Sequence, residues 1–453
     1  MIGEPTLRGL RTVPKTVGTL ALLLAALPFN LVLTGAALLR SVVMTSRAPT
    51  AAPATVRPRT IMLSGGKMTK ALLLARSFHA DGHRVILIES GKYWLTGHRF
   101  SRAVDRFYTV PPPQSPRYTD ALVDIVRREG VDVYVPVCSP ASSHFDALAK
   151  AVLSQYCEVL HGDVGVIDEV DDKFAFAEIA SSLGLPIPDT HRITNPRQVD
   201  EFPFADRRPV APHGASYVLK SIPYDPVHRL DLTLLPRETS EETATFARSK
   251  PISGTNPWVL QAFVRGQEYC THGTARDGHL QVWCCCESSA SQLNYAMVDK
   301  PQIESWVTKF VGALQLTGQF SFDFIETDDG RVWAIECNPR THSAITMFYD
   351  HPDLARAYLD TGRPLIRPTA SSRPTYWLYH EVWRALRHPS TAKNRLAVIR
   401  RGKDAIFDWS DPLPFLMVHH AQIPWLLTMN LLHLGEWNKI DFNIGKLVEP
   451  DGD

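Results

Sequence analysis

The chain has 453 residues, too many for one ordinary hydrophobic core, so two or three folded units are expected. It carries 48 basic and 47 acidic residues, a balance that argues against a nucleic-acid partner. Its seven cysteines include no Cys-x-x-Cys pair, which argues against a disulfide framework and indicates a reducing compartment. Three of them, Cys284 to Cys286, are expected to serve as small hydrophobic residues in a buried strand.

An uncharged apolar segment runs from Thr16 to Leu39, long enough as a helix to cross a hydrocarbon core of about 30 Å. Basic residues on both sides leave its orientation open, and Pro28 and Asn30 also permit a bent segment that enters one leaflet. A cleaved signal peptide is the alternative, although the apolar run exceeds a usual signal core. We expect a retained membrane anchor within residues 1–57, with residues 45–59 as an exposed linker.

Glycines followed by lysine and threonine, in SGGKMTK from Ser64 to Lys70, are similar to a phosphate-binding loop. A Walker A loop would need glycine where Ile61 stands and a hydroxyl where Met68 stands, so this interpretation fails. A strand, a Gly-rich turn and a helix remain, and similar units follow. We predict a doubly wound α/β domain over residues 58–165. Its glycines either present N–H groups to a ligand or serve only the tight turn.

The strongest chemical signal is QFSFDFIETDDGRVWAIECNPRTHSA, residues 319–344. It predicts two strands joined by a hairpin turn at residues 327–330. This hairpin would bring Asp323 near Glu336, with Asn338 on the Glu336 face. Two carboxylates and an amide oxygen are hard ligands of the type that Mg²⁺ prefers when it also binds phosphates. Arg340 would supply charge-assisted hydrogen bonds to a transferring phosphoryl group. The alternative is an ordinary hairpin with solvated charges.

The D-F-I…E-x-N-P-R pattern resembles the metal strand pair of the ATP-grasp ligases. Three further stretches agree with this resemblance: VDDKFAFAEIASSLGLPIP, SYVLKSI and NPWVLQAFVRGQEYCTHG. It implies ATP with Mg²⁺, or alternatively Mn²⁺, held by Asp323, Glu336 and Asn338. The resemblance further implies that Lys173 and Lys220 contact the phosphates and that Glu268 contacts the ribose. It places four residues at the adenine: Gln261, Ala262, Phe263 and Val264. It also implies catalytic roles for Arg340 and Lys220.

The resemblance also implies a fold class of α/β and α+β. A pre-ATP-grasp doubly wound domain over residues 58–165 would precede a two-subdomain ATP-grasp domain over residues 166–350, followed by a helical and aromatic extension over residues 351–453. One departure concerns the loop after Lys220, SIPYDPVHRLDL, which has no glycine where many members place a Gly-rich flap. Arg229 is a candidate to replace the main-chain donors of that flap.

From about residue 60 onward the chain is similar to the ATP-grasp ligases of mycosporine-like amino acid biosynthesis, for example in ECNPRTHSAITMFYDHP. This likeness implies that glycine is joined to 4-deoxygadusol, a cyclic enol-ketone. Because ATP is available in the cytoplasm, we expect the ATP site at the cytoplasmic face of a membrane, anchored by residues 16–39. One alternative is an ATP-grasp ligase that activates a carboxylate as an acyl phosphate. Another is a membrane-tethered ATP-binding scaffold without turnover.

Aromatic and hydroxyl side chains are candidates for an acceptor pocket, with packing as the alternative: Tyr93, Trp94, Arg99, Ser139 and Ser142. Thr341 and His342 follow Arg340 and are expected to face the substrate, with a structural role as the alternative for the histidine. Residues 414–437 are apolar and would form either a second membrane span or helices at the membrane interface or on the ligase. His419 and His420 are expected to be surface or packing residues.

Overall fold

The structure is a computed structural model and describes residues 4–45, 57–137, 139, 142–204, 216–223, 225, 227–228, 231–288 and 294–449. Most of the linker expected over residues 45–59 lies outside these ranges, as does Arg229. The cysteines within them are free and buried.

The amino-terminal apolar segment forms part of one long helix, α1 (Glu4–Thr45), which contains Pro14 and Pro28. Its stretch Thr12–Ser41 is long and apolar enough to cross a membrane. Among the described helices no other passes this test, and residues 414–437 form shorter helices rather than a second span.

The first globular unit is a five-stranded parallel sheet in the order β3-β2-β1-β4-β5, with helices on its faces. Hydrophobic runs such as RVILIES are buried because both faces of the sheet are covered. The order of strands reverses beside β1, where ligand sites of such sheets usually lie. The elements are β1 (Thr60–Leu63), α2 (Thr69–Ala80), β2 (Arg84–Ser90), β3 (Arg106–Val110), α3 (Tyr118–Glu129), β4 (Val133–Val135), α4 (Ser143–Leu153) and β5 (Glu158–Val159).

The next unit contains a three-stranded antiparallel sheet in the order β6-β8-β7. Two short helices precede it, and Asp172 ends the first and caps the second. The elements are α5 (Val164–Asp171), α6 (Lys173–Ser182), β6 (Thr190–Ile193), α7 (Arg197–Asp200), β7 (Tyr217–Ser221), α8 (Ser240–Arg248) and β8 (Trp258–Ala262).

A four-stranded antiparallel sheet follows, in the order β10-β9-β12-β13. Side chains alternate along β10, so Cys285 enters one core while Cys284 and Cys286 enter another, as expected for small hydrophobic residues. Phe176, Trp306 and Phe322 fill the core beneath the sheet. The elements are β9 (Gln267–Arg276), β10 (His279–Glu287), β11 (Asn294–Tyr295), α9 (Pro301–Ala313), β12 (Gly318–Glu326) and β13 (Val332–Asn338).

The carboxyl-terminal extension folds back onto the first unit, where Arg76 Nε donates to Asp411 Oδ2 at 2.9 Å. A π-helical turn, Val418–Gln422, buries His419 against the Tyr379 ring at 3.9 Å, so this histidine packs as expected. The elements are α10 (Leu354–Leu359), β14 (Thr375–Tyr376), α11 (Leu378–Arg387), α12 (Ala392–Arg401), β15 (Lys403–Asp404), α13 (Leu413–Met417), α14 (Ile423–Leu432), β16 (Lys439–Asp441) and β17 (Lys446–Val448).

Candidate active site

Asp323 and Glu336 lie directly opposite each other on the antiparallel strands β12 and β13. The register shifts by one residue after this pair, and Ile335 is the extra residue. The amide Nδ2 of Asn338 lies 3.3 Å from Glu336 Oε1 and 3.4 Å from Asp323 Oδ2. The structure therefore brings together the three side chains that the sequence assigned to a metal.

The two facing carboxylates differ in their titration. Burial raises the pKa of Asp323 well above its usual range, and the Glu336 charge raises it further. Burial acts in the same direction on Glu336, but Lys173 and Lys220 outweigh it and hold the pKa of Glu336 at about 2. Because the two facing carboxylates repel each other when both are ionised, a divalent cation between them would favour ionisation of both.

Lys173 and Lys220 approach this pair from two different elements. Lys173 begins α6, and its Nζ lies 3.5 Å from Glu336 Oε2. The Asp172 side chain caps that helix by accepting from the Phe174 and Ala175 N–H groups. This cap fixes the backbone position from which the Lys173 side chain extends. Lys220 lies on β7 of the three-stranded sheet, and burial lowers its pKa. The two cations thus lie where the two antiparallel sheets meet.

Gln261, near the end of β8, links the two sheets. Its Oε1 accepts from Lys220 Nζ at 3.1 Å, and its Nε2 donates to the Ile335 carbonyl at 3.3 Å. The register shift at Ile335 leaves this carbonyl outside the regular ladder, so the side chain can reach it. Gln261 is buried at the border of the two sheets.

The segment assigned to adenine has part of its main chain engaged elsewhere. The Ala262 N–H donates to the Asp189 carbonyl and the Phe263 N–H to the Ser216 carbonyl, both at 2.8 Å. Val264 is buried in the protein. Any adenine contact from Ala262 and Phe263 is therefore restricted to their carbonyl oxygens and side chains.

Glu268 lies on β9, within the electrostatic range of Lys220. Burial raises its pKa, while Lys220 opposes that shift. Gly266 precedes it where a Cβ atom would lie 2.0 Å from the Glu326 carbonyl, so only glycine allows this close approach of β9 to β12. The backbone therefore requires glycine two residues before Glu268, in addition to any role of the Glu268 carboxylate.

Arg340 donates from Nη2 to Asn338 Oδ1 at 2.6 Å, at the end of β13. Two groups of the first unit hold the loop that follows: Lys70 Nζ donates to the Thr341 carbonyl at 2.5 Å, and Ser143 Oγ to the Pro339 carbonyl at 2.8 Å. These contacts fix the loop that carries the guanidinium group.

The expectation that Thr341 faces the substrate is wrong. This side chain is fully buried, and its Oγ1 donates to Gln319 Oε1 at 2.6 Å because the loop turns inward after Arg340. His342 caps the following 3₁₀ helix by accepting from the Ala344 N–H at 3.2 Å, which is the structural role.

The opening glycine turn uses its own N–H groups internally. Gly66 donates to the Ile88 carbonyl at 3.1 Å, Lys67 to Glu89 Oε2 at 3.0 Å and Met68 to the Gly65 carbonyl at 2.8 Å. Gly65 has a φ of +68°, and a Cβ there would lie 2.4 Å from the Val137 carbonyl. The turn therefore depends on its glycines for its backbone conformation. Gly65 also lines a cavity together with Ser139 and Ser142, so the turn borders a candidate ligand site as well.

The residues proposed for an acceptor pocket divide between two cavities. Ser139 and Ser142 line one at the carboxyl ends of the parallel strands, near the Pro339 loop. Tyr93 and Trp94 line a second cavity of about 490 Å³ formed with α14. Arg99 donates to the Trp94 carbonyl at 2.8 Å. The first cavity is linked to the candidate active site through Ser143, which follows Ser142 and contacts the Pro339 carbonyl.

Sequence reasoning did not single out three residues that matter here: Lys70, Ser143 and Asp171. Lys70 shares its helical face with buried Leu74 and Phe78, and this spacing was a usable signal. Asp171 lies within the electrostatic range of Arg340 and Lys173. Nothing in the local sequence distinguishes Asp171 or Ser143 from surface residues.

The donor set fits a hard cation. Within the described residues there is no cluster of three or more His, Cys, Asp or Glu side chains suited to a metal ion. The facing carboxylates of Asp323 and Glu336 instead match Mg²⁺, which keeps several waters and binds through few protein groups plus phosphates. The Asn338 amide presents Nδ2 to both carboxylates and Oδ1 to Arg340, so it would have to rotate to offer its oxygen to the cation.

No protein-family model and no curated protein sequence matches this chain. Solved structures do. An ADP complex of N5-carboxyaminoimidazole ribonucleotide synthetase (purK) is 15% identical, with a TM-score of 0.54 over 75% of this chain and 87% of that one. The Thermotoga maritima synthetase of the same name is 17% identical, with a TM-score of 0.50 over 70% and 79%.

A third similar structure is the biotin carboxylase domain of Hydrogenobacter thermophilus 2-oxoglutarate carboxylase, with MgADP, ADP and bicarbonate. It is 14% identical, with a TM-score of 0.52 over 68% of this chain and 71% of that one. At this level of identity these likenesses establish the fold. The chain has the ATP-grasp fold, preceded by a doubly wound domain and an apolar helix, and the fold class expected from the sequence is confirmed.

Proposed function

We propose that this protein is an ATP-dependent ligase that forms a C–N bond, with Mg²⁺ as its metal ion. The observation that carries the proposal is the convergence of Asp323, Glu336 and Asn338 with two lysines where two antiparallel sheets meet. Solved structures of the same fold hold ADP, and one holds MgADP. A nucleotide bound at this junction would meet cations from α6 and β7 and carboxylates from β12 and β13.

Each site residue has a definite task in this proposal. Asp323, Glu336 and Asn338 would hold Mg²⁺, which when bound offsets charge on the phosphates. Lys173 and Lys220 would bind the phosphate oxygens of ATP as point charges. Arg340 would orient the transferred phosphoryl group through charge-assisted hydrogen bonds. Catalysis would then rest on positioning and electrostatic stabilisation by preorganised groups.

Residues at the ends of the neighbouring strands β8 and β9 would recognise the adenosine part of the nucleotide. Glu268 would accept hydrogen bonds from the ribose hydroxyls, because a carboxylate accepts from two donors at once. Gln261, with the carbonyl oxygens of Ala262 and Phe263 and the side chain of Val264, would meet the adenine. The hydrogen bonds that Gln261 accepts from Lys220 and donates to the Ile335 carbonyl support this role, because they fix the amide at the junction of the two sheets.

For the substrates we propose glycine and 4-deoxygadusol, giving mycosporine-glycine, ADP and phosphate. The enol oxygen of the acceptor would attack the γ-phosphorus, and the bond from that phosphorus to the ADP oxygen would break. The glycine nitrogen would then form a bond to the ring carbon, the carbon–oxygen bond would break to release phosphate, and the nitrogen would lose a proton. Similarity of the chain to ligases of this pathway, from about residue 60 onward, supports this choice.

A second candidate function keeps the nucleotide site and activates a carboxylate as an acyl phosphate. The fold shared with N5-carboxyaminoimidazole ribonucleotide synthetase favours it. The third hypothesis, a scaffold without turnover, is disfavoured because nucleotide retention alone would not require Arg340 next to a full set of metal ligands.

One assay separates these functions. The full-length chain is incubated with ATP, Mg²⁺ and 4-deoxygadusol, with and without glycine, and ADP and ultraviolet absorbance are followed. Glycine-dependent ADP together with a new absorbing product is expected. ADP formed only with a carboxylate acceptor would replace the first proposal by the second, and ATP binding without turnover on any acceptor would favour the scaffold.

A further inference from the structure

The helix α1 has an inverted distribution of polarity. Its buried residues share one narrow face and include three polar ones: Thr16, Leu23, Asn30, Thr34 and Ala37. The opposite face is exposed and apolar, as at Phe29, which is 78% exposed. A helix packed on a water-soluble protein normally buries its apolar face and exposes its polar one. The reverse pattern indicates that the outer face of α1 contacts something other than water.

Hydrogen bonds fix the polar face to the carboxyl-terminal extension. Trp437 Nε1 donates to Thr16 Oγ1 at 2.8 Å, and Lys15 Nζ donates to the Trp437 carbonyl at 2.9 Å. Further along, Asn30 Nδ2 donates to the Tyr379 hydroxyl at 2.5 Å. Asn30, the polar residue within the apolar segment, therefore docks α1 against the carboxyl-terminal extension.

The docking runs along almost the whole apolar segment. Thr12 Oγ1 donates to the Gly435 carbonyl at one end, and the Arg40 guanidinium lies 5.4 Å from the Trp409 ring at the other. The distance between these residues along a helix is roughly 42 Å, more than the hydrocarbon core of about 30 Å. The enzyme body thus accompanies α1 over a length greater than a bilayer core.

A crossing orientation would carry charged parts of the body into the hydrocarbon. Helix α11 lies beside α1, because Tyr379 meets Asn30 and Arg387 lies close enough to Lys15 to repel its ammonium group. Arg384, with its ion-pair partner Glu381, lies between these two contacts on α11 and would enter the membrane with a helix that spanned it. Each such charge costs at least a few kcal/mol at the bilayer centre, which opposes a crossing orientation.

Neighbouring side chains extend the apolar surface. Val382, Trp383 and Leu386 of α11 are exposed between its two contact points with α1, and Leu432 is exposed at the end of α14 near Thr12. Basic groups border this surface at both ends of α1, at Lys15 with Arg387 and at Arg40. An apolar strip with cations at its margins matches the acyl chains and anionic headgroups of one leaflet.

We propose that α1 lies in the plane of the membrane interface, with its outer face in one leaflet of an anionic bilayer, and does not cross the bilayer. The outer face consists of Val17, Leu22, Leu24, Phe29, Leu31, Val32, Leu38 and Leu39. The protein is then monotopic, and α1 with α11 forms its membrane-binding surface. This holds whatever reaction the active site performs.

Binding is tested by flotation of the full-length chain with vesicles of phosphatidylcholine alone or with 30% phosphatidylglycerol. Anionic vesicles are expected to bind more chain, and Leu24→Ser with Val32→Ser to weaken binding by about tenfold or more. The matched control, Leu148→Ser with Leu183→Ser, removes two leucines exposed elsewhere and should bind normally. Absence of vesicle binding, or self-association of the chain through this face instead, overturns the proposal.

Orientation is tested with spin labels on cysteines introduced singly at Val17, Leu24, Val32 and Leu39. Depth in the bound bilayer is measured by paramagnetic quenching, and the chain without an introduced cysteine supplies the background. An in-plane helix gives four similar, shallow depths. A spanning helix would place positions 24 and 32 deep and positions 17 and 39 near the headgroups, and that profile contradicts the proposal.

Discussion

Lys70 on the buried face of α2 donates from Nζ to the Thr341 carbonyl, 2.5 Å away, and so ties the first unit to the loop after Arg340. Burying an ammonium group is costly unless it is hydrogen-bonded, so this contact fixes the loop firmly. A lysine of the SGGKMTK segment therefore acts on the candidate active site through the backbone, although the segment is not a phosphate loop.

Replacing Lys70 with methionine should release the loop that positions Arg340. We expect kcat to fall by about tenfold or more while the Kd for ATP stays near normal, because Lys173 and Lys220 are untouched. Kinetics and ATP titration of the same preparation measure the two effects. Lys92→Met, at a largely exposed lysine, is the control, and an unchanged kcat in Lys70→Met would refute the positioning role.

Lys220→Met should weaken nucleotide binding. Lys220 Nζ donates to Gln261, and the Glu336 charge partly opposes the lowering of the Lys220 pKa by burial. We expect the Kd for ATP to rise by about 10- to 100-fold, as for loss of one charged hydrogen bond. Isothermal titration gives the value, with Lys309→Met on the exposed side of α9 as control. Equal ATP affinity in variant and parent would remove Lys220 from the site.

Gly65→Ala should destabilise the protein without a direct effect on ATP. The φ of +68° and the Val137 carbonyl at 2.4 Å leave no room for a Cβ atom. We expect a loss of about 2–4 kcal/mol in unfolding free energy, seen as a lower Tm. Gly91→Ala, where nothing lies within 4 Å of the added Cβ, should leave the Tm unchanged. A normal Tm together with lost ATP affinity would instead restore a ligand role for the turn.

Acid sensitivity should depend on His98, which is fully buried with Nδ1 3.0 Å from the Gly66 carbonyl. Burial lowers its pKa to about 3, from an ordinary value of about 6.5. The unfolded chain therefore binds more protons below pH 6.5, so the His98 contribution to stability is complete above that pH and is lost as pH falls towards 3. Between pH 7.5 and pH 5 the loss is about 2 kcal/mol.

His98→Asn keeps a donor for the Gly66 carbonyl but cannot take up a proton. The difference in Tm between pH 7.5 and pH 5 should therefore be smaller in this variant than in the parent chain, even if its Tm is lower at both. His388→Asn, at an exposed histidine, should retain the parental difference. The same pH dependence in His98→Asn and in the parent would show that His98 does not govern acid sensitivity.

Local pattern was sufficient for much of the fold. Alternation in FSFDFIE and the TDDG turn predicted the β12–β13 hairpin, and the structure places Asp323 opposite Glu336. Unbroken apolar runs predicted the parallel strands, because both faces of that sheet are covered. These features depend on residues close together in the chain.

Other features depend on residues far apart, which periodicity cannot pair. Thr341 turns inward because Gln319 on β12 accepts from it, and Trp94 belongs to a second cavity because α14 folds against it. The docking of α1 requires Asn30 to meet Tyr379, 349 positions later. The composition of the apolar segment predicted only a membrane anchor and gave no sign that one face of α1 packs on the protein.

The central claim is that Asp323, Glu336 and Asn338 hold a divalent cation against ATP. Electron paramagnetic resonance of Mn²⁺ titrated into the full-length chain with ATP tests it most directly. Glu336→Gln removes one charged ligand, and Asp328→Asn at the exposed hairpin tip is the matched control. We predict ATP-dependent binding of one Mn²⁺ in the parent and the control, weakened by about 100-fold or more in Glu336→Gln. Equal Mn²⁺ affinity in Glu336→Gln and the parent would contradict the account.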